Sequence, residues 1–288
     1  MTQSNLAWLN GFIGVVIFAG SLPATRIAVI GFSPEFLTVV RAFIAGLLSL
    51  FCLILLKQKV PNLTQLKSLT IVALGVVIGF PLFTALGLQT FSSAHAIVFV
   101  GLLPLSTAVF AVLRGGEQPS ATFWIFAVLG SSIVITYMFY SNKSLSFSLG
   151  DLYMICAILT CGLGYAEGGK LSKQLGGWQV ISWALVMTLP FMLMGTLYYF
   201  PNNFNAVQTP QMLGLIYVSL FSMWLGFLFW YKGLALGGIA KVGQIQLIQP
   251  FIGFAFSALF LGEQIDLSMI FVCIATIVCV VLAKKYAG

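Results

Sequence analysis

A few ionisable and amide side chains lie inside stretches that are otherwise apolar, and any chemistry in this chain must use them. Arg41 falls about 10 Å into an apolar run that begins near Pro34. A guanidinium at that depth can snorkel outward, bond carbonyls or the carboxylate of Glu35, or bind an anionic group. Glu167, within GLGYAEGGK, precedes Lys170 by three residues, so the two can pair along one helix. The alternative is a carboxylate that titrates inside the membrane. His95 is the single histidine, and no acidic partner for it is evident. Gln244, Gln246 and Gln249 all precede Pro250. Gln246 and Gln249 are roughly 60° apart on a helix, with Gln244 on another side, so all three cannot enter one narrow cavity. Interhelical hydrogen bonds account for one or two of them. Pro104 and Pro250 free the carbonyls of Val100 and Gln246, which marks hinge positions. Tyr165, Trp183 and Trp224 are candidates for an aromatic lining, although most such residues simply pack between helices.

Absent motifs narrow the chemistry. The chain has no P-loop, no HExxH, no CxxC and no second histidine, so ATP hydrolysis, a metal centre and a His-based triad are not expected, nor is any cofactor. The five cysteines (Cys52, Cys156, Cys161, Cys273, Cys279) lie in apolar runs at spacings that fit neither zinc nor a redox pair.

The elements that hold these residues follow from composition. With 60% hydrophobic and 7% charged residues among 288, the chain lacks the polar shell of a soluble domain; such domains carry about 25% charged residues. Lipid is then the main solvent, and long apolar runs without alternation exclude a barrel. Ten helical spans are expected, near 6–29, 34–56, 67–88, 94–114, 121–140, 149–170, 178–200, 211–236, 240–261 and 267–284. Met1 to Trp8 has no basic n-region or cleavage site and reads as the start of the first span. The net charge of +7 has no basic cluster interleaved with aromatics, so nucleic acid is not an expected partner. Lys57, Lys59, Lys67, Arg114, Lys170, Lys173, Lys232, Lys241, Lys284 and Lys285 fall at one set of ends, against Arg26, Arg41 and Lys143 at the other. That bias predicts both termini in the cytoplasm.

The chain also repeats itself. A shift of 146 positions superposes Gly87, Pro104 and Glu117 on Gly233, Pro250 and Glu263 without a gap, and Gln118 on Gln264. His95 and Lys241 occupy equivalent positions under the same shift, which makes them candidates for a gate or for a substrate carboxylate. Five spans per copy is odd, so the second copy (145–288) enters the membrane upside down relative to the first (1–144). Inverted repeats can exchange conformations, opening a midplane site first to one side and then to the other.

The SPEFLTVVRAFIAGLL stretch (Ser33 to Leu48) and the P-x12-E pattern in both halves resemble the drug/metabolite transporter superfamily, in particular its ten-span EamA branch. The resemblance covers essentially the whole chain. It implies two five-helix halves, a central cavity lined by helices 1, 3, 4, 6, 8 and 9, and alternating access. Leu103 and Gln249 precede the two prolines where many members place Glu, so a carboxylate is not expected to act there. Related small multidrug carriers use a Glu in their first span, and this chain has no acidic residue in its own. The expectation is an all-α polytopic protein of the bacterial inner membrane with ten transmembrane helices. It would move a small polar organic metabolite, an amino acid or related carboxylate, with export as the leading direction. Its partners would be the small-molecule substrate, lipid, and protons as coupling ion. Candidate substrate contacts are Arg41, His95, Tyr165, Glu167, Trp183, Trp224, Lys241, Gln244 and Gln249, with Gly87, Pro104, Gly233 and Pro250 as hinge or structural positions. The rivals are a drug or organic-cation exporter built around Glu167, and a channel or scramblase.

Overall fold

The computed structural model describes residues 2–90, 93–142, 148–261 and 267–286, all helix and connections with no strand among them. α1 (Gln3–Ala19) and α2 (Ser21–Ala28) make one rod that breaks at Gly20; α3 spans Pro34–Leu55. α4 (Leu63–Val72) and α5 (Phe80–Thr90) are joined by a π-helical stretch, Ala73–Gly79. α6 (Ser93–Val100) and α7 (Leu103–Leu113) follow, then α8 (Ala121–Asn142), α9 (Leu149–Leu175) and α10 (Gly177–Tyr198). α11 (Thr209–Ile216) and α12 (Gly226–Gly237) are joined by a second π stretch, Tyr217–Leu225. α13 (Ile239–Gly243), a 3-10 segment (Gln244–Ile248) and α14 (Gln249–Leu261) form a broken rod, and α15 (Leu267–Lys285) ends the chain.

Local sequence explains the helix starts. Ser33 accepts from the Phe36 amide with Pro34 in the first turn, where a missing N–H costs nothing. Asn62 with Gln65, and Ser148 with Asp151, form reciprocal capping boxes. Among the described residues, six continuous helices are long and apolar enough to cross a bilayer: Gln3–Ala28, Pro34–Leu55, Leu63–Thr90, Leu149–Leu175, Gly177–Tyr198 and Thr209–Gly237. The other four expected segments correspond to the α6–α7 pair, α8, the α13–α14 pair and α15.

Packing follows the repeat. α1 packs on α12, and the corresponding rods of the other copy, α9 and α5, pack on each other. α3 packs on its own counterpart α10 and α8 on α15; α7 packs on α13, and their equivalents α14 and α6 pack on each other. Each pairing is therefore returned when the copies are exchanged, as a two-fold arrangement requires. The irregular stretches repeat as well. The π stretch at Ala73–Gly79 recurs, 146 positions on, inside Tyr217–Leu225. The break before Leu103 recurs at the 3-10 segment before Gln249. Pro104 and Pro250 each sit second in a new helix, where proline is tolerated, so each marks a restart of the helix. Where α9 crosses the first π stretch, a Cβ on Gly75 would lie 2.6 Å from the Thr160 carbonyl oxygen and 2.9 Å from the Gly164 Cα. Only glycine permits that approach.

Candidate functional site: a small cavity around Arg41

Rods from both copies converge on one small cavity of about 20 Å³, room for about one water molecule. Its walls come from helices one, three, four, six, eight and nine of the expected set, and from the second through Arg41. Three pairs of lining residues are repeat equivalents: Val76 with Ser222, Pro81 with Phe227, and Leu103 with Gln249. The cavity thus lies where the two copies meet.

Arg41 is 4% exposed. Its Nη2 donates to Ser222 Oγ at 3.2 Å, and Ser21 Oγ donates to the same oxygen at 2.7 Å. Arg41 Nε has no partner, and among the described residues no carboxylate bonds to the guanidinium. Glu35 is not its counter-ion. A guanidinium keeps its charge in proteins, and a buried charge without a counter-ion carries a desolvation cost of several kcal/mol. An anion placed beside the guanidinium would offset that cost.

Around Arg41 the surface is mostly aromatic and apolar. Tyr165 is buried and stacks on Phe18 with ring centroids 6.2 Å apart; Phe227 meets both rings edge-on. Gln249 reaches the cavity with its Oε1 unpartnered. Gln246 Oε1 accepts from Thr107 Oγ1 at 3.5 Å, at the limit of a hydrogen bond, and its Nε2 has no partner. Gln244 is fully buried with both amide atoms unpartnered, and it does not line the cavity.

The remaining candidates lie elsewhere. Glu167 is buried, and its partners are Arg114 (Nε to Oε2, 2.9 Å) and Ser68 (Oγ to Oε1, 2.6 Å). Lys170 is exposed, so the intrahelical pair expected from spacing gives way to a contact between helices. Trp224 donates its Nε1 to Ser182 Oγ at 3.0 Å, and Trp183 is half-buried against the core. Lys241 is half-buried in α13. The side chain of His95 lies outside the described residues, as does Glu263. Gly87 is buried in α5, and Gly233 lets α12 approach α1, where a Cβ would sit 2.7 Å from the Gly11 amide nitrogen. Ser21 and Ser222 were not legible as site residues. A serine in an apolar helix ordinarily bonds its own preceding turn, and the repeat places valine, not serine, opposite Ser222.

The EamA-like transporter family model matches residues 5–139 and again 148–284. The chain belongs to the EamA-like transporter family. This transporter is 55% identical over 287 residues, covering all of both chains, to a Bacillus subtilis (strain 168) protein described as "Uncharacterized transporter YdeK". A second protein of that organism, "Uncharacterized transporter YvbV", is 25% identical over 306 residues, which is all of this chain and 94% of the other. A solved structure described as "Crystal structure of protein" has the same fold. Its TM-score is 0.76 at 15% identity, over 98% of this chain and 97% of that one. As a member of the drug/metabolite transporter superfamily, the EamA protein is a multi-pass membrane transporter of a small molecule in a lipid environment.

Proposed function

We propose that this EamA transporter is a secondary carrier for a small organic metabolite bearing a carboxylate, with amino acids and related acids as the leading class. It works by alternating access across the bacterial inner membrane, in the direction of export. It crosses ten times, its two copies inverted and both termini cytoplasmic. The observation that carries the substrate class is Arg41: buried, bonded to Ser222, which Ser21 also donates to, and without a carboxylate partner. The aromatic lining supplied by Phe18, Tyr165 and Phe227 suits an apolar substituent beside the acid group. A space for about one water is too small for any such substrate, so the surrounding rods must part to admit it. That supports an alternating cycle and counts against an open channel. Thr107, Gln244 and Gln246 extend the polar surface available once the rods separate.

The cation-exporter alternative needs a free carboxylate in the pathway. Glu167 is instead engaged by Arg114 and Ser68 and stands outside the cavity. Protons remain the coupling ion in this proposal, with Glu167 and His95 the titratable groups at membrane depth. Liposome uptake with and without a pH gradient tests that part alone.

A thermal-shift screen of the purified protein against amino acids, organic acids, nucleosides and organic cations tests the substrate class. A ligand that binds the folded state raises Tm by mass action. Carboxylates should raise Tm in the native protein and fail to do so in Arg41→Gln. A response confined to cations would overturn the assignment.

A further inference from the structure

The spacing motif P-x12-E repeats in both halves, and the glutamate of the first copy stands outside the cavity lining. In the first copy that residue is Glu117, and its carboxylate reaches across to the second copy. Oε1 accepts from the Ile239 amide at 2.6 Å, and Oε2 from the Ala240 amide at 2.8 Å. The glutamate thus satisfies the unpaired N–H groups at the start of α13 with both oxygens. Three residues earlier, Arg114 donates to Glu167 in α9, whose other oxygen accepts from Ser68 in α4. The short turn from Arg114 to Glu117 therefore grips the second copy at two points.

The two grips differ in kind. The Glu117 contact sits within close packing: a Cβ on Gly115 would lie 3.1 Å from Ile239 Cδ1, and one on Gly243 3.2 Å from Thr107 Cγ2. It is flanked by Gly116 (φ +70°) and Gly238 (φ +90°), turns in the left-handed region on both sides of the joint. The Arg114 contact is a single-nitrogen ion pair between an arginine 43% exposed and a carboxylate 2% exposed, so it opens only where another donor takes over the buried carboxylate. A replacement partner is at hand. Lys170 lies three residues past Glu167 on α9 and lines, with Ser68, a polar pocket of about 250 Å³.

We propose that this turn is the gate of its end of the bundle, with Glu117 as the pivot that stays attached and Arg114–Glu167 as the latch that opens. When this end opens, Glu167 leaves Arg114 and Ser68 and pairs with Lys170; when it closes, the exchange reverses. Arg114, Glu117 and Lys170 are positioning residues and never touch the substrate. The proposal rests on the alternating-access reading above.

The test places a reporter cysteine at Val76 in the cavity and follows its labelling in proteoliposomes. A membrane-impermeant maleimide is applied to each face in turn, with the native cysteines measured as background. Arg114→Gln should label faster from the gate face by about tenfold, and Lys170→Gln correspondingly slower. The exchange Arg114→Glu with Glu167→Arg keeps the closed pair but sets an arginine beside Lys170 when this end opens, so labelling from the gate face should fall below the reporter protein's rate. Glu117→Gln, which leaves one oxygen for two amides, should slow labelling from both faces without bias. Arg114→Gln and Lys170→Gln shifting in the same direction, or not at all, would overturn the latch. If Arg114→Gln does not fold, an Arg114→Cys/Glu167→Cys disulfide tests the same latch. Cross-linking should stop labelling from the gate face and reduction should restore it; labelling that continues through the cross-link sinks the proposal. A reporter reachable from only one face in the otherwise native protein would count instead against alternating access itself, which separates the two failures.

Discussion

Val76 and Ser222 stand 146 positions apart in the chain and line the same cavity, each from a π-helical stretch of its own copy. Duplication placed them in equivalent positions, and substitution then made them unequal: Ser222 holds Arg41 and Ser21, while valine offers no hydrogen bond. The wider turn of a π segment is a frequent mark of functional positions in helices. Here the architecture is two-fold and the chemistry is one-sided.

Ser222→Val restores the symmetry of that pair and removes the oxygen that accepts from both Arg41 and Ser21. Leaving buried donors unpartnered costs about 1–3 kcal/mol each. Thermal or denaturant unfolding should show a loss of at least that order, and carboxylate-induced Tm shifts should shrink. An unchanged unfolding midpoint would mean that Ser222 does not hold the guanidinium.

Arg41→Lys keeps the charge and gives up the planar fork, whereas Arg41→Gln gives up both. Apparent KM for the transported acid should rise by about tenfold in the lysine variant and about a hundredfold in the glutamine variant, since hydrogen bonds to a charged group are worth roughly 1.5–3 kcal/mol. Equal KM values in all three proteins would place the substrate elsewhere.

Gln249→Leu makes the residue before Pro250 the same as Leu103 before Pro104. It also deletes a buried Oε1 that has no partner in the closed cavity. Replacing an unsatisfied amide by an apolar group of similar size is neutral or stabilising. Tm should hold or rise while substrate affinity falls several-fold, a trade of binding for stability. A fall in both would show Gln249 to be structural.

Glu167→Gln separates the two transport readings. The carboxylate lies outside the cavity and is held by Arg114 and Ser68. Carboxylate-induced Tm shifts should therefore survive the change, even where turnover alters. Loss of ligand binding, or the abolition of organic-cation efflux with Arg41 dispensable, would favour the exporter organised around Glu167.

Gly75→Val drives a branched side chain into the crossing with α9, where a Cβ alone would already lie 2.6 Å from the Thr160 carbonyl oxygen. Overpacking of this kind costs about 1–3 kcal/mol. Tm and detergent-solubilised yield should both drop, with Gly75→Ala milder. A valine variant of native stability would mean the rods are not held at this distance.

Membrane residence, helical class and duplication were all legible in the chain itself, because hydrophobicity and the 146-residue period are properties of residue order. A 28-residue apolar run such as Leu63–Thr90 must be a helix in lipid, whatever it packs against. Side-chain partnership is a different matter. Spacing along one helix offered Lys170 as a partner for Glu167, but its partners come from the turn after α7 and from α4, dozens of positions away. Arg41 was visible as a buried charge; that Ser222 accepts from both Arg41 and Ser21, and that Glu35 does not pair with the guanidinium, depends on how three rods approach one another. The capping of α13 by Glu117 was equally hidden behind a recognisable motif. Local order decides what each segment can be, because helix formation in lipid is satisfied within the segment. Only the packing of distant segments decides which polar groups meet, because those contacts carry no period in the sequence.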